Sequence, residues 1–171
     1  DIDSASSVQV VVNKHRPLNP ATYVPGQLVR VQGERLRAEA ADAYKQLTKA
    51  AKAAGVNIMP ISGYRSYSQQ ASLYDSYVRQ YGQSTADTIA ARPGYSEHQT
   101  GLAMDIGNAS GTCALQACFA TTPAGKWAGD HAAEGALSST AWLTQHVPMT
   151  RAAASRAVSA ARMIRRSEPL A

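Results

Sequence analysis

The residues best suited to chemistry lie close together between Pro93 and Asp105, in the run PGYSEHQTGLAMD. His98 follows a Pro-Gly turn, and Asp105 sits in the apolar stretch after it. Imidazole and carboxylate are both first-choice zinc ligands, and a strand holds a carboxylate rigidly toward a metal. Gly101 lets the backbone turn between them with no Cβ in the way. By spacing alone, a His and an Asp seven residues apart also read as a plain hydrogen-bonded pair. A catalytic zinc needs a third protein ligand and a position open to water. The other histidines are His15, His131 and His146. Arg65, in Gly63-Tyr64-Arg65-Ser66, reads by itself as a surface ion-pair partner. Gln69 and Ser96 read by themselves as capping residues.

Short strands and helices must position these groups. Residues 8–12, VQVVV, read as a strand, followed by a wrap punctuated by Pro17, Pro20 and Pro25. Residues 34–54 are expected to be an amphipathic helix, with Leu36, Ala40, Ala43, Tyr44, Leu47 and Ala51 on one stripe and Gly55 past its end. Residues 56–62 read as a strand in which Pro60 calls for an edge or a bulge. A second helix is expected over 67–81, then a shorter one over 84–91, capped by Ser84 and ended by Arg92-Pro93-Gly94. Residues 101–107 read as a buried strand. Thr122-Pro123 supplies a cap and a first-turn proline for a helix over 123–134, with Gly135 as its stop. The Ala- and Arg-rich run over 150–166 reads as a further helix. Strands mixed with helices, without a βαβ rhythm, indicate an α+β domain, here a small antiparallel sheet with flanking helices.

Composition narrows the class. The chain has 171 residues, of which 44% are hydrophobic and 17% charged, enough for one domain with a real core and too apolar for disorder throughout. No apolar run is long enough for a membrane-spanning helix. The net charge of +5 is uneven. Residues 1–134 carry 12 Lys/Arg against 11 Asp/Glu, whereas residues 135–171 carry five Arg against Glu168. All eight Tyr precede residue 96. This break divides the chain into a domain over 1–134 and a different, helical tail over 135–171. The tail's arginines are read as a solvated helix face rather than a nucleic-acid contact. Cys113 and Cys118 have too few neighbouring thiolates or histidines for a zinc site. Their spacing suits either a small disulfide loop or two reduced thiols, and the loop is the expectation here. The start, DIDSASSVQVVVNK, lacks the charged and apolar regions of a signal peptide, so an exported form would be a mature one.

Ser96, His98, Gly101, Ala103 and Asp105 together form S-x-H-x-x-G-x-A-x-D. This resembles the signature of the VanY-type zinc D-alanyl-D-alanine carboxypeptidases, whose fold is shared with endolysin peptidases and the Hedgehog signalling domain. VVVNKHRPLNPATYVP, SGYRSYSQQASLY and CFATTPAGKW are similar to the family's opening wrap, its substrate-side strand and helix, and the run into its next helix. The resemblance covers roughly residues 8–134. It implies a Hedgehog/DD-peptidase-like fold, zinc as cofactor, and peptidoglycan stem peptides as substrate. It implies His98 and Asp105 as zinc ligands, and Arg65 facing the scissile carbonyl. It also implies Gln69 and Ser96 near the D-alanyl end of the substrate, and a secreted or cell-wall location. Glu97 is read as solvated or as supporting the ligand beside it.

Beyond residue 134 the chain departs from that pattern. The family's Glu-Pro-Trp-His motif, with its general base and third zinc ligand, is not present. The chain ends Glu168-Pro169-Leu170-Ala171. Three explanations stay open: His146, or alternatively His131, closes the metal site; the tail is a different-frame translation product; or the domain only binds wall peptide. Loss of the base predicts activity well below that of an intact family member.

Overall fold

The helix expected from residue 34 begins at Ala38, because the chain first closes a hairpin. β1 (Val29–Val31) and β2 (Glu34–Leu36) pair antiparallel, with Val29 opposite Leu36 and Val31 opposite Glu34. The two loop residues, Gln32 and Gly33, both have positive φ, as the tight turns that match strand twist require. α1 (Ala38–Ala53) follows and buries the expected stripe of Ala40, Ala43, Tyr44, Leu47 and Ala51. Leu36 and Tyr44 are fully buried and anchor the main core.

The computed structural model describes residues 1–135. His146, the helix expected over 150–166 and the tail over 135–171 fall, apart from Gly135, outside the described residues.

The expected strand over 8–12 does not form. Val10 and Val12 point into the core and Val11 points out, so the alternation is real, but among the described residues no strand pairs with it. The nearest ladder contact is a single bridge between Asn13 and Arg16.

β3 (Ile58–Ser62) pairs antiparallel with β4 (Asp105–Asn108) in a second two-stranded sheet. Pro60 lies opposite Ile106, and the register then shifts so that Ser62 lies opposite Asp105. That irregularity accommodates the proline, as its missing N–H demands. The strand expected from residue 101 starts only at Asp105. Leu102, Ala103 and Met104 before it are buried but belong to no strand.

α2 (Tyr67–Tyr81) opens with a reciprocal capping box: Ser66 Oγ accepts from Gln69 N, and Gln69 Oε1 accepts from Ser66 N at 2.9 Å. α3 (Gln83–Ile89) follows after Gly82, and no side chain caps it, so Ser84 is not its cap. Tyr74, Ala86 and Ala90 form a second small core between these two helices. α4 (Pro123–Gly135) starts where expected, with Thr122 Oγ1 accepting from Gly125 N at 3.0 Å. In the loop between β4 and α4 the sulfurs of Cys113 and Cys118 lie 2.07 Å apart, at bonding distance.

Candidate active site

His98 lies in a 3₁₀ turn, Glu97–Thr100, whose neighbours hold it from several sides. Gln99, fully buried, accepts from Gly94 N and donates to the carbonyls of Ala21 and Tyr23. The N-terminal wrap is thereby pinned to the motif. Thr100 Oγ1 donates to Glu97 O and accepts from Leu102 N. Gly101 closes the turn in the left-handed region, φ 73°, as a residue with a Cβ rarely does.

The His98 ring is 3% exposed. Its Nδ1 lies 2.8 Å from the carbonyl oxygen of Gly63. A carbonyl only accepts, so Nδ1 carries the proton and donates, and in the neutral ring Nε2 keeps its lone pair. That Nε2 stands 3.3 Å from Asp105 Oδ2, which is also buried. The β3–β4 register creates this proximity, because it sets Asp105 opposite Ser62, the residue before Gly63.

A lone pair and a carboxylate oxygen held face to face in a dry place attract a cation. Ligand atoms bonded at about 2.05 Å to a tetrahedral zinc lie ~3.3 Å apart. The pair therefore fits two ligands of one zinc ion, in donor type and in spacing. Among the described residues, no third His, Cys, Asp or Glu joins it. His131 sits on α4 with its ring stacked 4.2 Å from that of Trp127 and Nδ1 on the Trp127 carbonyl. His15 is exposed in the N-terminal wrap.

Arg65 is tied to the same place. Its backbone N–H donates to His98 O at 3.1 Å. Its Nη2 donates to Ser62 Oγ at 3.0 Å and its Nη1 to Gln70 Oε1 at 2.8 Å. Gln70, 1% exposed, in turn donates from Nε2 to Ala91 O. The surface ion-pair reading of Arg65 is not what the structure gives. Half-buried and held in a fork, this guanidinium has a fixed direction and further N–H groups for an incoming oxygen. Gln69, expected on the substrate side, commits its Oε1 to the α2 cap. Gln70, which sequence reasoning passed over, is the one that touches Arg65. Ser96 is 3% exposed and its side chain does not cap the 3₁₀ turn.

A model of the VanY D-alanyl-D-alanine carboxypeptidase family matches residues 33–145. The chain belongs to the VanY family. That match runs about ten residues past the break in composition at 134. YodJ of Bacillus subtilis (strain 168) is 40% identical over 141 residues, 77% of this chain and 51% of that protein. A D-alanyl-D-alanine carboxypeptidase of Enterococcus faecalis is 36% identical over 111 residues, 60% of this chain and 41% of its own length. The chain thus spans about half the length, or less, of these two relatives. The solved LdcB LD-carboxypeptidase superposes with a TM-score of 0.70 at 39% identity, covering 77% of this chain and 65% of that one. A VanY D,D-pentapeptidase mutant, solved in complex with Zn(II), gives 0.61 at 27% identity, covering 74% and 72%. The α+β architecture of short antiparallel sheets and flanking helices is that of the VanY fold.

Proposed function

We propose that this chain is a zinc-dependent peptidase hydrolysing the D-alanyl bond at the end of bacterial peptidoglycan stem peptides, in secreted or wall-associated form. The buried His98–Asp105 pair carries this reading, at the separation of two ligands on one zinc. The family match and the zinc complex of a VanY relative support it. His146 is the proposed third ligand.

Zinc in such a site supplies an acidified water and polarises the scissile carbonyl. The protein's own part is orientation and charge. His98 presents Nε2 because Gly63 holds its Nδ1–H, and Asp105 brings a negative charge that offsets the metal's. Arg65, fixed by Ser62 and Gln70, directs its remaining N–H groups to the oxygen on which charge develops as the peptide bond is attacked. Ser96, with the Gln69 amide nitrogen that its cap does not use, is proposed to hold the D-alanyl end. Without a Glu-Pro-Trp-His base, assistance of roughly 10²–10⁴-fold is missing and turnover is slow.

Zinc content of the purified chain tests this reading. About one zinc per chain, lost in both His98→Ala and His146→Ala, supports it. If His146→Ala keeps its metal while His98→Ala loses it, His146 is not the third ligand. A chain that binds stem peptide with no metal is instead a wall-binding module that no longer catalyses.

A further inference from the structure

We propose that Glu34 is a positioning residue for His98, acting through the Gly63 backbone without touching the ring; this rests on the reading of His98 as a zinc ligand. Glu34 opens β2, half-buried, 29 residues before Gly63 in the chain. Its Oε2 accepts the N–H of Gly63 at 2.9 Å. The carbonyl of the same glycine accepts Nδ1–H of His98 at 2.8 Å. One residue thus has its donor on a carboxylate and its acceptor on the imidazole.

The neighbouring geometry makes this connection stiff. The ladder between β3 and β4 ends at the Ser62–Asp105 pair, so Gly63 N–H has no strand partner there, and Glu34 supplies the acceptor. The next N–H, that of Tyr64, donates to Arg35 O at 2.7 Å. It belongs to the same peptide plane as the Gly63 carbonyl, so that plane is gripped on both edges. The backbones are also in direct contact. A Cβ placed on Gly63 would lie 2.5 Å from Arg35 O, so only glycine fits. A carboxylate–amide bond is about twice as strong as a neutral one. It fixes the Ser62–Gly63 peptide and with it the Gly63 Cα, from which the Gly63–Tyr64 peptide extends. The carbonyl of that second peptide sets which imidazole nitrogen carries the proton, and that choice turns the Nε2 lone pair toward Asp105. Groups behind a metal-bound histidine commonly govern affinity as well as orientation.

The test is zinc affinity, by competition with a chelator, for the wild type, Glu34→Ala and Glu34→Gln, alongside thermal melting of the metal-free proteins. Glu34→Ala is expected to weaken zinc binding by roughly 10- to 100-fold. Glu34→Gln, whose amide oxygen accepts the same N–H, is expected to recover most of it. Unchanged zinc affinity in a folded Glu34→Ala protein overturns the proposal, whether or not its melting temperature falls. If Glu34→Ala does not fold, Glu34→Asp repeats the test, since it keeps the charge and withdraws the carboxylate by one methylene. Should the wild type hold no zinc, the metal reading fails by itself. The imidazole nitrogen resonances of His98 in metal-free protein then decide on Glu34. A change in Nδ1 in Glu34→Ala that Glu34→Gln reverses upholds the positioning role, and identical resonances end it.

Discussion

Gln70 holds Arg65 by a 2.8 Å hydrogen bond from Nη1 to the amide Oε1, while its own amide nitrogen is anchored on the Ala91 carbonyl. The direction of the guanidinium is therefore set from the buried face of α2. Loss of that hold, in Gln70→Ala, is expected to lower kcat by ~10²-fold through misplacement of Arg65. Gln69→Ala removes one arm of the capping box. It is expected to cost about 0.5–1 kcal/mol of stability and to raise KM a few-fold, with kcat nearly intact. Steady-state kinetics and melting curves of the two variants check both; equal kcat losses would contradict the assignment.

The two adjacent glutamines show where sequence reasoning reaches its limit. Residues one apart on a helix point about 100° away from each other. Which of them faces Arg65 depends on where the helix starts, and Ser66 fixes that through its cap. Elements with their own punctuation, such as α2 behind Ser66 and α4 behind Thr122-Pro123, were legible to within a residue or so. The β1–β2 hairpin was not, because Leu36 fits the helical stripe and three-residue strands have too few side chains to show alternation. His98 and Asp105 were readable from a local motif. Glu34 was not, since its partner Gly63 lies 29 residues away and no local pattern links them.

Gly63→Ala is expected to displace the segment that carries the His98 contact, because the added methyl meets backbone rather than a movable side chain. Overpacking of this kind costs about 1–3 kcal/mol. Chemical denaturation would register the loss, and an unchanged midpoint would contradict the close contact.

The joint between α2 and α3 is expected to weaken in acid. Arg92 donates to both carboxylate oxygens of Asp87, and Tyr74 donates its hydroxyl to one of them at 2.7 Å. The Arg92 hydrogen bonds, followed by that of Tyr74, hold this carboxyl well below the usual aspartate range. A depressed folded-state value means the contribution is complete above the unfolded value of about 3.9 and disappears as pH falls below it. Asp87→Asn should therefore melt earlier than wild type at pH 6, with the gap closing toward pH 2. A gap that stays constant would rule out this source of acid sensitivity.

Cys113 and Cys118 are expected to be joined as a disulfide in the purified protein. Thiol titration of the denatured, unreduced chain should find no free thiol, and two after reduction. Two thiols before reduction would show that the loop is open.

The central claim is that His98 and Asp105 serve a metal-dependent hydrolysis of D-alanyl bonds. The most direct measurement is release of free D-alanine from a stem pentapeptide ending in D-alanyl-D-alanine, before chelation, after it, and after zinc is restored. The expected result is slow release that stops on chelation, returns with zinc and is absent from His98→Ala. Release that continues undiminished in the chelated protein, or peptide that binds and is never cut, would contradict the account.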